Sequence, residues 1–488
     1  MKRIAILTFA AMATMAFSGC DSSKDTSTTK QAPVVMGEGK PLPPQDSSYE
    51  LSFDIGGFSG DTALLAVRFG SSNRLRDTAL VQNGKFVFKG DTALKGGMYM
   101  VVLPPENNFF ELIIDRDQHF SVKSNMQDLI GNVKVEGSEE NELMYRDIAL
   151  LASMRPKVDS LRKLMEGVPE SSSRNKELRE QLANIDSTVV RHRRNISQEY
   201  GNWLYGKFLA TMLEPTIPDS ITEQEAQFFW YKKHYFDNVD LTDDRLLRTV
   251  ALDQKVMTYL DNLTFKDPDS INASINLILN KAEENDEVFK YFVPTILNKY
   301  VESKMMGYDG VYVNVVENYY LTGKAWWADS ATLAKMEERA LALSPNLIGR
   351  PAPDFTTTNL SGKKVNLYSM PGEWTILYFW DYDCSHCKTV TPELARVYDK
   401  FKDKDVSLFT VSINGTVDIW KERIKDYHFT AGVHTADPSR ASGFDAMYDL
   451  RSTPRVFVLD KNKIIRYKQI TMEQLEDILN HELGLSEE

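Results

Sequence analysis

The sequence predicts a multidomain protein with an antiparallel β domain over residues 49–135, an all-α region over 136–345 and a C-terminal α/β domain over 346–488. Three observations support this division: short runs of alternating polarity come first, then apolar positions spaced by three and four, then strands that alternate with helices. A chain of 488 residues is also too long for one ordinary core, since domains average about 150 residues.

The β domain is predicted from five short runs in which apolar and polar residues alternate and between which turn residues stand. These runs cover residues 49–55, 64–69, 85–88, 98–102 and 110–114. Gln82-Asn83-Gly84, between two of them, is typical of a tight turn. Nothing in this region has the spacing of a catalytic site.

The all-α region is predicted from apolar residues that recur at helical spacing from about residue 138 onward. Two such stripes flank a polar loop at 170–175, which predicts a helical hairpin, and Pro156 lies inside its first helix. The simplest interpretation is that these apolar stripes pack against other helices of the same chain. A partner helix is the alternative.

The C-terminal domain is predicted from a strand at 375–380, a helix at 389–402, a second strand at 406–411 and a helix at 417–427. A strand pair at 455–459 and 464–467 and a closing helix at 472–483 complete it. Alternation of this kind is typical of folds built on βαβ units.

The composition, 42% hydrophobic and 26% charged, is that of a soluble globular protein. The net charge is -12 and no long run of lysine or arginine is present. Because a nucleic-acid ligand requires a basic surface that neutralises phosphates, this composition argues against a nucleic-acid partner.

The N-terminus predicts a signal peptide over residues 1–19. Lys2 and Arg3 precede an apolar run at 4–17, which is too short to span a bilayer as a mature helix. The run ends in Phe17-Ser18-Gly19-Cys20, which resembles the bacterial lipobox, in which the cysteine is lipidated and becomes the first mature residue. Lipidation is therefore predicted at Cys20; the alternative is an ordinary secreted protein in which Cys20 is free.

Residues 20–48 are polar and proline-containing, with almost nothing to bury, and predict a disordered tether. No later run of 18 or more apolar residues occurs, so we expect a lipid-anchored protein in a bacterial cell envelope, with its body in the periplasm.

The body of the chain contains two cysteines, Cys384 and Cys387, at CxxC spacing. They follow a predicted buried strand and precede a predicted helix, so the pair is expected at a helix N-terminus. With Cys20 committed to lipid, two thiols do not make a disulfide framework. A zinc site would need further ligands, and no second CxxC or histidine pair is present, so we expect no metal. The spacing therefore indicates redox chemistry.

Several further motifs resemble the thioredoxin-like proteins of the TlpA/ResA type, which are related to the AhpC/TSA group. The matching segments are GRPAPDF at 349–355, LSGKKVNL at 360–367, Phe379-Trp380 before the CxxC, YDLRSTP at 448–454, VFVLDKNKI at 456–464, and Pro392 in the active-site helix. The upstream β and helical parts resemble modules of unknown function in lipoprotein members of this group. The resemblance implies a thioredoxin-like fold for residues 346–488.

The resemblance and the chemistry together give the site residues their roles. Cys384 is expected to be the nucleophile, because amides at a helix N-terminus stabilise its thiolate. Cys387 is expected to resolve the mixed disulfide. The resemblance makes Pro454 a cis-proline beside the dithiol and makes the Thr453 backbone the place where a substrate strand pairs.

Trp380 and His386 are expected to support the site or bind substrate. His386 stands where strongly oxidising relatives carry a histidine that stabilises the thiolate, whereas Asp381 and Asp383 would oppose a second negative charge. Two departures weaken the analogy: Tyr378 stands where thioredoxin has a buried aspartate, and Val390 where the ResA group has a glutamate. The proton acceptor for Cys387 thus has no counterpart, unless another module supplies it.

These features predict a membrane-tethered thiol-disulfide oxidoreductase that reduces disulfide bonds of exported proteins. The expected partners are those proteins, a thiol-disulfide electron donor in the membrane and, through the lipid, the membrane itself. No cofactor is expected beyond the redox-active disulfide of Cys384 and Cys387.

Two alternatives remain open. His386 favours a disulfide oxidase or isomerase, and the long upstream region favours a lipoprotein binding or scaffold module with secondary redox activity. A peroxidase is disfavoured, because the peroxiredoxin pattern needs Pro and Thr or Ser where Leu377 and Asp381 stand.

Overall fold

The computed structural model describes residues 39–301, 305–429 and 431–485. The predictions for the signal peptide, for Cys20 and for most of the tether lie outside these residues. Within the described ranges, no helix is both long and apolar enough to cross a membrane.

The β domain consists of two four-stranded sheets, ordered β4-β1-β7-β8 and β3-β2-β5-β6. Its strands are β1 (Tyr49–Gly56), β2 (Thr62–Phe69), β3 (Ser72–Leu80), β4 (Lys85–Gly90), β5 (Gly97–Leu103), β6 (Asn108–Ile114), β7 (His119–Asn125) and β8 (Lys134–Glu136). The predicted antiparallel β domain is confirmed, with one exception: β1 and β7 run parallel.

The alternation of β1 explains why its residues form a strand with one buried face. Leu51, Phe53 and Ile55 are buried, whereas the residues between them are partly exposed. The Phe53 ring stacks on Phe86 of the neighbouring strand at 4.8 Å between centroids. Such cross-strand aromatic contacts fix the register as well as burying apolar surface.

The expected disorder of the tether does not extend to residue 48, because the chain from residue 40 is hydrogen-bonded to the folded body. The Lys40 amide donates to the Glu199 carbonyl at 2.6 Å, and the Trp203 indole donates to the Lys40 carbonyl at 3.1 Å. The Asp46 amide donates to the Arg116 carbonyl at 3.2 Å. The polar composition indicated only that this segment has few apolar side chains to bury. The segment is held to the folded body by backbone hydrogen bonds, which composition does not reveal.

The middle of the chain is helical, as predicted. Its helices are α1 (Glu139–Met165), α2 (Ser173–Glu199), α3 (Leu204–Met212), α4 (Gln224–His234), α5 (Ala251–Asn262), α6 (Pro268–Ala282), α7 (Asp286–Val301), α8 (Asp309–Val315) and α9 (Ser330–Leu343). Helices α1 and α2 form the predicted hairpin, and Pro156 lies inside α1.

The β domain and the helices share one continuous hydrophobic core, which runs from Tyr49 to Leu343. Asn141 in the first turn of α1 joins the two parts. Its side-chain oxygen accepts the Ile113 amide of β6 at 2.8 Å, and its side-chain nitrogen donates to the Ile113 carbonyl at 2.6 Å. The two upstream parts therefore pack as one body.

The C-terminal domain is a seven-stranded sheet flanked by helices, ordered β10-β9-β13-β12-β11-β14-β15. The elements are β9 (Thr356–Asn359), β10 (Lys364–Asn366), β11 (Trp374–Trp380), α10 (Ser385–Phe401), β12 (Val406–Ser412), α11 (Val417–Asp426), β13 (Val433–Ala436), α12 (Phe444–Met447), β14 (Arg455–Asp460), β15 (Ile465–Lys468) and α13 (Met472–Glu482). This arrangement confirms the predicted thioredoxin-like α/β domain.

Strand β11 lies inside the sheet, parallel to β12 and antiparallel to β14. Ile376, Tyr378 and Trp380 pack into the core on one face of the sheet, and Leu377 and Phe379 pack into the core on the other. A strand buried on both faces needs a continuous apolar run, which this sequence has. The strand thus delivers the CxxC segment from a rigid position.

The C-terminal domain is docked on the helical part through a buried ion pair. The Lys468 ammonium at the end of β15 pairs with the Asp309 carboxylate at the start of α8, with 2% and 11% of these side chains exposed. The same ammonium donates to the Asn346 carbonyl at 2.7 Å, and the Asn346 side chain donates to the Met447 carbonyl at 3.0 Å. The pair between Lys468 and Asp309 therefore joins the domain that carries the dithiol to the upstream body.

Replacing Asp309 with Asn is expected to destabilise the full chain by about 3–5 kcal/mol, because the Lys468 cation stays buried without its counter-charge. Urea unfolding measures the loss. A control is Glu373→Ala, which removes the exposed partner of Lys461 at 3.2 Å and should cost less than about 1 kcal/mol. Equal losses for the two variants would contradict the structural role of the buried pair.

Candidate active site

The dithiol lies where β11 ends and α10 begins. Cys384 is the N-cap residue of α10, and the backbone turns there from extended to helical geometry. The first amides of a helix have no partner within the helix, so a side chain at the N-cap accepts from them. In this helix that side chain is a thiol, and the Cys387 amide donates to its sulfur at 3.3 Å.

Cys384 is partly exposed, as a nucleophile must be. Its thiol donates to the Thr453 carbonyl at 3.3 Å, so the loop before β14 lies directly against the sulfur. Burial opposes ionisation of Cys384. Hydrogen bonds from the side chains of Thr453 and Cys387 and from the amides of Cys387 and His386 outweigh it, and the pKa of Cys384 lies below its ordinary value. A thiolate is therefore favoured at the exposed sulfur.

Cys387 is fully buried one turn further along α10. Burial raises its pKa to about 12, assisted by the neighbouring Cys384 and opposed by the Asp381 amide, which donates to the Cys387 sulfur at 3.5 Å. The two sulfurs thus differ in how readily they ionise: the pKa of Cys384 is lowered, which favours its thiolate, whereas the pKa of Cys387 is raised, which favours its thiol.

Thr453 and Pro454 lie beside the dithiol, and the peptide bond between them is cis, as the resemblance implies. Both residues are partly exposed. The structure thus brings together four of the residues singled out from sequence: Cys384, Cys387, Thr453 and Pro454.

His386 is exposed, and its contribution to Cys384 comes from its backbone amide. Among the described residues, its imidazole makes no hydrogen bond or ion pair with Cys384. Asp383 lies 3.8 Å from the Lys388 ammonium, and the Asp381 carboxylate accepts the Asp383 amide at 2.9 Å. A role of the His386 ring in stabilising the thiolate stays a prediction.

Trp380 is fully buried in the same core as Cys387. A substrate cannot reach the indole in this structure, so of the two roles expected for Trp380, binding substrate is corrected, and supporting the site is the role that its position in the core with Cys387 allows. The last residue of a central strand is covered by the helices on its face, which the motif alone did not indicate. Its indole nitrogen finds no hydrogen-bond partner among the described residues.

Sequence reasoning missed the rim formed by Tyr382, Asn414 and Gly415. Gly415 has φ +94°, and a Cβ there would lie 2.8 Å from the Tyr382 ring, so glycine lets this ring lie close. The Asn414 side chain donates to the Asp381 carboxylate at 3.4 Å. The sequence contained a signal for this rim. Asn414-Gly415 is a turn dipeptide after β12, and the parallel strands β11 and β12 end at the same edge of the sheet, where Tyr382 also lies.

In the part of the chain that the structure describes, no other module supplies the missing proton acceptor. Tyr378 is buried, and its hydroxyl is engaged with the Thr391 hydroxyl at 2.8 Å; burial raises its pKa well above the ordinary value. Val390 is an apolar neighbour in the same core. Across the described parts of the chain, no carboxylate hydrogen-bonds to the Cys387 sulfur. The same residues contain no group of histidine, cysteine and acidic side chains that could hold a metal.

The reduced protein is expected to react with iodoacetamide at Cys384 and not at Cys387 at neutral pH. Because the pKa of Cys384 is lowered, the alkylation rate should reach its plateau below the pH at which an ordinary cysteine does. Cys387, with its pKa raised to about 12, should remain unlabelled. Peptide mapping by mass spectrometry assigns the label, and the same reaction in denaturant is the control. Labelling of Cys387 in the folded protein would contradict the assignment.

Three family models match successive parts of the chain. The AhpC/TSA family matches residues 348–468. Two domains of unknown function, DUF4369 and DUF5106, match residues 49–144 and 171–344.

Relatives of established name match the C-terminal domain. Thiol-disulfide oxidoreductase ResA of Bacillus cereus is 31% identical over 135 residues, which are 27% of this chain and 76% of the relative. The thioredoxin-like protein YneN of Bacillus subtilis is 27% identical over 119 residues, which are 24% of this chain and 68% of the relative. A solved thioredoxin-like protein from Bacteroides caccae covers 55% of this chain and 97% of its own, with 20% identity and a TM-score of 0.43.

The exposed thiol on a helix N-terminus and the buried thiol behind it are the parts that disulfide exchange requires. The ResA match extends over the domain that holds them. By its C-terminal domain this chain therefore belongs to the ResA-type thiol-disulfide oxidoreductases of the AhpC/TSA family.

Proposed function

We propose that this enzyme is anchored in a bacterial cell envelope through lipid on Cys20 and reduces disulfide bonds of exported proteins. The observation that carries the choice of a protein substrate is the Thr453 carbonyl, 3.3 Å from the Cys384 sulfur. An extended peptide that pairs with this backbone places its own disulfide against the nucleophile, as strand addition does at other open edges.

The proposed reaction has two steps. The Cys384 thiolate attacks one sulfur of the substrate disulfide and releases the other as a thiolate, which forms a mixed disulfide. Cys387 then loses its proton to solvent, and its thiolate attacks the Cys384 sulfur and releases the second substrate sulfur as a thiolate, so that substrate is reduced and the enzyme is oxidised by two electrons. A thiol-disulfide donor in the membrane returns the enzyme to the dithiol form.

The position of His386 supports electron flow from the enzyme to the substrate, which makes the enzyme a reductase. A histidine ring that stabilises the Cys384 thiolate would favour the reduced enzyme and make it an oxidant. Among the described residues, the exposed His386 imidazole makes no hydrogen bond to that sulfur, and the Cys384 thiolate is stabilised by other groups. The absence of the ring from that stabilisation favours a reductase.

Trapping in cells tests this function. Replacing Cys387 with Ser should leave exported proteins disulfide-linked to Cys384 in the envelope fraction, and the double variant Cys384→Ser, Cys387→Ser is the matched control. Replacing Cys20 with Ala should release the protein from the membrane fraction. Trapped partners confined to the cytosol, or none, would overturn the proposal.

The reduction potential decides between a reductase and the oxidase or isomerase alternative that His386 motivates. A value near about -270 mV supports a reductase, and one near about -120 mV supports an oxidase. The scaffold alternative predicts that cells carrying both cysteine-to-serine changes behave like wild type.

A further inference from the structure

A cavity of about 630 Å³ lies between the β domain and helix α7, apart from the dithiol. Its walls include Phe69, Arg74 and Lys95 from the β domain, and Lys290, Tyr291 and Trp326 from the helical part. A volume of this size accommodates a ligand of a few amino acids.

The floor of this cavity, which we call the α7 pocket, is built by a close approach of backbone and ring. Gly70 has φ +57°, and a Cβ there would lie 1.9 Å from the Tyr291 hydroxyl, so only glycine admits the ring. The Tyr291 hydroxyl donates to Asp253 at 2.8 Å and accepts the Ser71 amide at 3.2 Å. The ring is therefore held before any ligand arrives.

Two cations stand over aromatic rings at the wall of the α7 pocket. The Arg74 guanidinium lies 4.2 Å from the centroid of Phe69, and the Lys290 ammonium lies 4.7 Å from that of Trp326. Within residues 39–301, 305–429 and 431–485, neither cation has an ion-pair partner. Such contacts orient a cation while leaving its charge available to an anion.

The other charges of the α7 pocket are largely satisfied. Lys95 pairs with Glu287 at 2.7 Å, and Glu287 also pairs with Arg248 at 3.0 Å. Asp286 remains at the first turn of α7. With respect to the described residues, the pocket thus offers two cations and one carboxylate without an ion-pair partner, in a chain whose net charge is -12.

The pocket also offers hydrogen-bond acceptors. Pro294 lies inside α7 and has no amide hydrogen, so the carbonyl of Lys290, four residues earlier, lacks its helical donor. A phosphate has no N–H group for this carbonyl or for Asp286, whereas a peptide does. A neutral sugar carries no negative charge to pair with the two cations.

We propose that the α7 pocket binds a short acidic segment of polypeptide, with its carboxylates on Arg74 and Lys290 and its backbone N–H groups on Asp286 and the Lys290 carbonyl. This binding is independent of the redox reaction. It adds a recognition site on the upstream body to the chemistry of the C-terminal domain.

Isothermal titration of the full-length protein with a glutamate-rich hexapeptide tests the proposal, and the glutamine-rich peptide of the same length is the ligand control. Binding should weaken with added salt and should weaken at least tenfold in the double variant Arg74→Gln, Lys290→Gln. The variant Lys335→Gln, Lys425→Gln removes the same charge from exposed positions elsewhere and should bind like wild type.

The outcomes separate this proposal from the proposed function. Reduction of a small-molecule disulfide should be unchanged in the double variant, whether or not peptides bind. Absence of binding at millimolar glutamate peptide, equal binding in both double variants, or tighter binding of inorganic phosphate or of a uronic-acid oligosaccharide would overturn the peptide assignment.

Discussion

Replacing Cys384 with Ser is expected to lower disulfide reductase activity by about 10³-fold or more, the order of loss when a nucleophile is removed from a group of residues that act together. The hydroxyl of serine does not ionise near neutral pH, so the hydrogen bonds that lower the pKa of Cys384 have no thiolate to stabilise. Reduction of a peptide disulfide, followed by chromatography, measures the loss.

Replacing Cys387 with Ser should give a different defect. The first step remains, because Cys384 keeps its exposure and its hydrogen bond to Thr453, and one equivalent of mixed disulfide should accumulate in a single turnover. Ser385→Ala, a change at the exposed residue between them, is the control and should retain activity. Multiple turnovers by the Cys387 variant, or activity of the Cys384 variant, would contradict the assigned roles.

Resolution of the mixed disulfide by Cys387 is expected to be slow at neutral pH and to accelerate about tenfold for each pH unit between 7 and 9. The reason is the raised pKa: near a pKa of about 12 the thiolate fraction at neutral pH is small and rises in proportion to hydroxide. The groups around this sulfur do not remove its proton. Tyr378 and Tyr427 have raised pKa values themselves, and the Asp381 contact is a backbone amide.

Rapid mixing followed by an acid quench measures this step, because acid preserves the mixed disulfide for mass spectrometry. Val390 lies one turn beyond Cys387 in the same core, on the same helical face. Val390→Glu should speed resolution at pH 7 and flatten its pH dependence by supplying a proton acceptor, whereas Val390→Gln should not. Unfolding curves of both variants control for lost stability. A resolution rate that does not change with pH in the wild-type protein would contradict the proposed dependence on the Cys387 thiolate.

Much of the C-terminal domain was predictable because its segments carry strong local signals. The continuous apolar run of β11 predicts a strand buried on both faces, and the structure has it there. The CxxC spacing after that strand predicts a dithiol at a helix N-terminus, and Cys384 is the N-cap residue. A local sequence pattern is enough to predict an element when the burial of that element and its helix or strand geometry require the same residue types.

Strands with weak patterns escaped prediction. Strand β3 lies at the edge of its sheet and is largely exposed and polar, with Ala79 its one buried residue. Strand β13 spans only four residues. No local sequence pattern indicates that β1 and β7 pair in parallel. The direction of pairing depends on the path of the chain between the two strands.

The candidate site shows the same division. The sequence by itself determined which residues carry the chemistry: two thiols at CxxC spacing, the Thr453-Pro454 loop and the strand that delivers them. Tertiary structure decided that Trp380 is buried. It also decided that, within the described residues, the His386 ring makes no hydrogen bond to Cys384 and no carboxylate makes one to Cys387. The physical reason is that reactivity depends on the solvation and hydrogen bonding of each sulfur, and these come from residues distant in the chain. The pairing of Asp309 with Lys468 likewise joins two modules that the sequence presents as separate.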